Sequence, residues 1–275
     1  MGNLQRLKEI NIKDLTFKRI FTAVIRRIED IPDKITWSFP FEFTKKNRKK
    51  IQALKDKHLG KRCFVVANGP SLKYIDFSLL KDEYTIGMNR IYMMKEQNGY
   101  VPSYLACIDL SSQLLQFTKE YDEVEGFPVF YNWKLKHLFS KKENQYFIKD
   151  RLKPDFSTDL ALDGYGTGWS VCYTAIQLAY YLGFKEVYII GKDHSYNTSE
   201  KPGKKIKSTG SEGNHFIKGY YKPGMTWVAP DYQAEEFAYK LARKAFEKDG
   251  RIIKDATIGG KLEVFEKVDF NSLFK

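Results

Sequence analysis

The stretch Arg62-Cys-Phe-Val-Val-Ala-Asn-Gly-Pro-Ser-Leu72 decides the fold. Arg62 to Ala67 read as a short apolar strand, and Asn68-Gly69-Pro70-Ser71 break it sharply. Leu72, Ile75 and Leu79-Leu80 follow at helical spacing, so the expected order is strand, tight turn, helix. In an open α/β sheet such a junction binds ligands, because the helix N-terminus turns unpaired N–H groups towards anionic oxygens. Gly69 allows close backbone approach, while Asn68 and Ser71 offer short polar side chains able to cap the helix or touch ribose and phosphate. For these four residues alone, a capped turn without a ligand is an equal alternative. The flanking sequence has to decide.

Outward from this stretch the chain alternates between strand and helix patterns. Tyr84-Thr-Ile-Gly-Met88 reads as a second strand ending in Asn89-Arg90, and Ser103 to Ile108 as a third ending in Asp109-Leu-Ser-Ser112. Phe127 to Tyr131 reads as a fourth, ending in Asn132. In a parallel sheet these ends share one edge, and that edge is the ligand edge. Residues 133–160 show no clear period. Gly164-Tyr-Gly-Thr-Gly168 then feeds an apolar helix from Trp169 to Leu182, a second expected anion site built on Gly166, Thr167 and Gly168. It is neither a Walker A loop nor a G-x-G-x-x-G fingerprint. Glu186 to Ile190 is the next strand, closing in Gly191-Lys-Asp-His-Ser-Tyr196, which brings Asp193, His194 and Tyr196 to the same edge. Residues 197–230 are long, polar and aperiodic, as lids are, and hold His215, Tyr220 and Tyr221. Asp231 is the expected N-cap of a helix running to Lys248, with Gly250 as its stop and Ile252-Ile253 as a last strand.

Composition bounds the partners. The net charge of +12 points to an anionic ligand, yet residues 1–60 hold 15 Lys/Arg against 7 Asp/Glu, so most of the basicity lies outside the α/β body. Cys63, Cys107 and Cys172 lack metal-ligand spacing and read as buried thiols of a reducing, cytoplasmic compartment. Neither a signal peptide nor a membrane-spanning run is legible. Phe17, Ile20, Phe21, Val24, Ile25 and Ile28 form one stripe of an amphipathic helix that Pro32 is expected to end. Trp37 to Phe43 and the basic run Lys45 to Lys50 follow. One reading of this extension is peripheral attachment to the anionic inner face of a membrane. The other is packing on the body or on a second subunit of a homo-oligomer.

The set Asn68-Gly-Pro-Ser71, Asn89-Arg90, Gly191-Lys-Asp-His194, Asn214-His215-Phe216 and Ala256 to Glu263 resembles the MptE-like family over roughly residues 47–275. That family includes archaeal 6-hydroxymethyl-dihydropterin diphosphokinases and bacterial members encoded among surface-polysaccharide functions. It is related in fold to the motility accessory factor glycosyltransferases and to the bacterial sialyltransferases built around Asn-Gly-Pro-Ser. The resemblance implies a Rossmann-like α/β fold with a mostly parallel sheet and helices on both faces. To this the chain adds a basic helical extension over residues 1–60, a transferase domain over 61–275 and a lid over 197–230.

Carried over residue by residue, the sialyltransferase pattern makes Asn68, Gly69, Pro70 and Ser71 the turn that holds the CMP part of a CMP-sugar. Asn89 matches a second asparagine on the nucleotide. Asp109 stands where those enzymes have a third asparagine. Thr167-Gly168 matches a Thr-Ser-Gly loop, although the arginine that precedes it there is absent. Tyr196 loosely matches a tyrosine supporting the departing phosphate, and His215 best matches the lid histidine that acts as general base.

A glycosyltransferase must deprotonate an acceptor hydroxyl, which suits histidine, and stabilise a leaving phosphate, which suits tyrosine, lysine and helix N-termini. The chain has no Asp-x-Asp pair, which fits transfer to a glycan acceptor without a metal. The expectation is therefore a metal-independent, sialyltransferase-like enzyme of bacterial surface-glycan assembly. The first alternative is a diphosphokinase using ATP with Mg²⁺ held by Asp109 and Asp193. The second is a non-catalytic basic module for membrane or nucleic acid, and no nucleic-acid motif supports that partner.

Overall fold

The computed structural model describes Phe21, Val24, Ile25 and residues 27–275, apart from the side chain of Ser111. Phe17 and Ile20 of the expected amphipathic stripe lie outside the described residues; its other members, Phe21, Val24, Ile25 and Ile28, are helical and exposed. Two compact units, Met1–Lys45 and Lys46–Lys275, divide the chain. In the first, α1 spans Ile31–Ser38 and carries Pro32 in its opening turn. The helical residues that carry the stripe stop at Glu29, as expected, and Pro32 lies in the first turn of the next helix, where its fixed φ fits and its missing N–H needs no partner. Helix α2 spans Glu42–Gln52 and contains the basic run. Among the described residues no helix is long and apolar enough to cross a membrane.

The second unit is built on an eight-stranded sheet. Its strands are β1 (Arg62–Val66), β2 (Tyr84–Met88), β3 (Tyr104–Cys107), β4 (Val129–Asn132), β5 (Gln145–Ile148) and β6 (Glu186–Ile190). β9 (Ile252–Asp255) and β10 (Glu266–Lys267) complete it, while β7 (Lys205–Lys207) and β8 (Thr226–Val228) form a separate antiparallel ribbon. The order is β10-β9-β6-β1-β2-β3-β4-β5, and every pairing in it is parallel. β1 to β5 run outward in one direction; β6 then returns to the other side of β1 with Val65 opposite Ile189. The strand order reverses between β1 and β6, and in doubly wound sheets ligands bind at that switch point.

Helices surround the sheet. α3 (Met94–Asn98) and α4 (Thr118–Asp122) are short. α5 (Val171–Tyr181) is buried along its whole length and lies against β1, β2 and β3, which is why it is mostly apolar. α6 (Tyr232–Lys248) packs on α5 and β9. Its expected N-cap is realised, since Asp231 accepts from the Ala234 N–H at 3.1 Å.

One expectation fails for a local reason. No α-helix follows the Asn68-Ser71 turn; two 3₁₀ turns, Pro70–Tyr74 and Phe77–Leu80, take its place. Ile75 is extended, and the Asp76 carboxylate accepts from Ser78 N–H at 2.9 Å, an Asx bond that competes with helix continuation. No α-helix dipole therefore stands behind this turn. Strand β5, in the unreadable stretch, is an edge strand whose exposed side is met by α2. The Asn47 amide donates to Phe147 O at 2.8 Å and accepts from Phe147 N at 3.0 Å, and Lys50 Nζ donates to Gln145 O. A covered edge cannot recruit another chain.

Asn47→Ala leaves both backbone groups of Phe147 buried and unpaired, so it is expected to cost roughly 2–4 kcal/mol. The urea midpoint should fall at unchanged slope; an unshifted midpoint would mean that α2 does not seal this edge.

Candidate active site

At the switch point the end of β1 is sewn to the end of β6. Gly69 N–H donates to Gly191 O at 2.9 Å. The Asp193 carboxylate takes two bonds from Ser71, from its N–H at 3.0 Å and its hydroxyl at 2.6 Å. Gly69 is glycine for want of space: a Cβ there would lie 2.6 Å from Gly191 O and would overlap the Asp193 carboxylate.

The Asn68 NH₂ donates to Met88 O at 2.9 Å. Met88 O can only accept, so this bond fixes the amide orientation and leaves Asn68 Oδ1 buried without a partner. One strand away, Asn89 sits in the left-handed region at φ 48°, which asparagine tolerates, and its Oδ1 is likewise buried and unpaired. At the end of β3, Asp109 accepts from Ser112 N–H at 3.1 Å, holding the π-helical turn Leu110–Leu114. The Gly164-Gly168 loop is clamped from α5, where Gln177 accepts from Gly166 N and donates to Gly166 O at 2.8 and 3.0 Å. Thr167 Oγ1 is a third buried polar atom without a partner. Ser170 caps α5 by accepting from Cys172 N–H.

Residues 197–230, the expected lid, contact these strand ends and line the cavity beside them. The β7–β8 ribbon stiffens the lid, Phe216 N–H donates to Asn68 O at 3.0 Å, and Gln116 bonds both polar backbone groups of Thr226. Arg90 is the strongest anchor: its buried guanidinium donates to Tyr220 O and to Glu120 Oε2, and lies 4.0 Å from the Phe117 ring centroid. Within the lid the His215 ring stacks on Tyr220 at 3.9 Å with planes 2° apart, and lies at near right angles to the Tyr221 and Tyr196 rings. Burial drives the His215 pKa down to about 3, with Glu212 opposing and Arg90 assisting. The imidazole is therefore neutral. Burial pushes the Tyr196 phenol up to about 12, against the Lys192 charge.

Behind Asp193 lies a buried ion pair. Lys192 Nζ is 2.7 Å from Glu235 Oε2 on α6. Burial disfavours the charged forms of both, but their mutual attraction and hydrogen bond win: Lys192 is raised and Glu235 lowered. His194, at φ 53°, meets Glu236 at 3.1 Å through Nε2 and has Nδ1 3.6 Å from Glu235.

These groups wall a cavity of about 490 Å³. Asn68, Gly69, Asn89, Asp109, Thr167, Gly168, Asp193, His194, Tyr196 and His215 all line it. Pro70, Ser71 and Gly166 stand outside the lining and act through the turn, the Asp193 bond and the Gln177 clamp. Asn132 also stays outside, with its amide spent on Tyr165 and Lys134. Sequence reasoning missed the Lys192–Glu235 pair, whose partners are 43 residues apart with no local signal, and the Arg90 anchor.

A family model described as 6-hydroxymethylpterin diphosphokinase MptE-like matches residues 41–199. The chain belongs to the MptE-like family. No curated protein matches its sequence. Among solved structures, the Maf glycosyltransferase of Magnetospirillum magneticum aligns with TM-score 0.53 and 14% identity over 82% of this chain. The MptE-like chain spans 38% of that protein's length, and the likeness is one of fold. The sialyltransferase CstII of Campylobacter jejuni, solved with cytidine-5'-monophosphate, aligns at TM-score 0.47 and 14% identity over 78% of this chain and 86% of that one. The family match ends at residue 199, so His215, Tyr220 and Glu235 lie beyond it.

Lys192→Met strands the Glu235 carboxylate in the protein and is expected to cost about 3–5 kcal/mol. Lys192→Met/Glu235→Gln should recover most of that loss. Urea unfolding of the two variants checks the pair; equal losses would show that Glu235 is not destabilised by losing Lys192.

Proposed function

We propose that this MptE-like protein is a nucleotide-sugar-dependent glycosyltransferase. The observation that carries the reading is the pair of unpaired asparagine acceptors, Asn68 Oδ1 and Asn89 Oδ1, in the cavity wall at the switch point. Buried acceptors without partners are uncommon in folded proteins, and a ligand bearing ribose hydroxyls or an exocyclic amine supplies the missing donors. Within this reading the donor is a CMP-sugar, supported by the Asn-Gly-Pro-Ser turn, and the acceptor is a hydroxyl of a bacterial surface glycan. As the acceptor oxygen bonds to the anomeric carbon, the bond from that carbon to the phosphate oxygen breaks and its electrons stay on the phosphate. A ring nitrogen of His215 takes the acceptor proton, while Tyr196 and the first turn of α5 face the leaving phosphate.

The diphosphokinase alternative takes its support from the family description and needs Mg²⁺. The residues do not fit a protein-held metal well. Both Asp193 oxygens accept from Ser71, Asp109 accepts from Ser112, and among the described residues no group of three His, Cys, Asp or Glu is placed to hold one.

Calorimetric titration with CMP, CDP, UDP, GDP and ATP, with and without Mg²⁺, tests the reading. CMP binding without metal is expected; ATP binding only with Mg²⁺ would replace it by the diphosphokinase. Asn68→Ala should abolish nucleotide binding, whereas His215→Ala should retain binding and lose turnover by roughly 10²–10⁴-fold. Normal turnover by the His215 variant would remove its role as base.

Acid sensitivity gives a separate check. The unfolded chain protonates His215 near its ordinary pKa of about 6.5, the folded protein only near 3. Stability from the neutral ring is thus complete above the unfolded value and drains away as pH falls towards the folded one. Between pH 6.5 and 5 the wild type should lose unfolding free energy faster than His215→Phe. Parallel curves would show that the ring is not held neutral.

A further inference from the structure

The buried Lys192–Glu235 pair has no part in joining the strands, and it sits in the wall of the cavity. Lys192 is 8% exposed and Glu235 4%. Removing two charges from water costs more than a packed apolar pair would, so stability alone does not account for the pair. Its surroundings give it a use. Lys192 follows Gly191, at the mouth of the switch point between β1 and β6. Its charge acts on the Cys172 thiol in the first turn of α5 and on the Tyr196 phenol, both of which line the same cavity. A fixed cation, the first turn of a capped eleven-residue helix and a phenol donor therefore border one space. Glu235 holds the ammonium charged and in place.

We propose that Lys192 is the phosphate-binding cation of the nucleotide site, positioned by Glu235. The proposal rests on the nucleotide-donor reading above and extends it: the 5'-phosphate of the donor is bound by a side-chain ammonium and not by a metal ion. An ammonium is a point charge that meets a phosphate oxygen from many directions, whereas the asparagines at the ends of β1 and β2 meet hydroxyls and amines in fixed directions. The nucleoside and phosphate halves of the ligand are then held by different walls of the cavity, and their contributions can be separated.

The separation is the test. CMP and cytidine are measured against wild type and Lys192→Met/Glu235→Gln, CMP by direct calorimetric titration and cytidine by competition, with thermal unfolding run alongside. Loss of a charge-assisted phosphate contact should weaken CMP by roughly 10- to 100-fold while cytidine competes as it does with wild type. Unchanged CMP affinity overturns the proposal. So does an equal weakening of CMP and cytidine, which would mean that the pair only supports the wall. Wild-type protein that binds neither CMP nor any other nucleotide would instead overturn the donor reading, a result distinct from both.

Discussion

The Asp193 carboxylate, bonded twice to Ser71, is the contact on which the site depends. It joins the loop after β1 to the loop after β6 where the strand order reverses and where no helix dipole is present to draw the loops together. Gly69 makes the contact possible by leaving room for the carboxylate, and the Gly69–Gly191 backbone bond completes it. With those loops fixed, Asn68 faces Met88 on the next strand and Lys192 is directed towards α6, both in the wall of the cavity. A carboxylate with both oxygens engaged in this way ties the two loops together.

The remaining charges follow from the burial of the groups that carry them. Lys192 and Glu235 stay ionised because each has the other, and His215 stays neutral because it is packed among tyrosines. Arg90 spends its guanidinium on the Tyr220 carbonyl, Glu120 and the Phe117 ring, so the cation next to Asn89 belongs to the lid. Neighbouring residues on one strand end thus have separate tasks: Asn89 keeps an open acceptor, and Arg90 holds the cover.

The parallel sheet was legible because strands buried on both faces are near-continuous apolar runs, as in Phe64-Val-Val66 and Val187-Tyr-Ile-Ile190. The polar residues closing those runs were legible for the same reason, since they mark where burial stops. β5 was not: Gln145-Tyr-Phe-Ile148 is flanked by charged residues, and its exposed edge is satisfied by Asn47, roughly a hundred positions earlier. The helix expected after Ser71 failed because apolar spacing is silent about an Asx bond at Asp76. The Lys192–Glu235 pair and the Arg90 anchor are contacts across the fold that no local pattern encodes.

The return of β6 to the flank of β1 also sets the order in which the molecule can form. During synthesis β1 can pair with β2 at once, but its other edge waits for residues 186–190, about 120 positions later. Until then an apolar strand of Cys, Phe and Val keeps a row of unpaired backbone groups, the kind of edge that recruits other chains. The strand order that opens the cavity at the ends of β1 and β6 thus leaves β1 with an open edge while the protein folds.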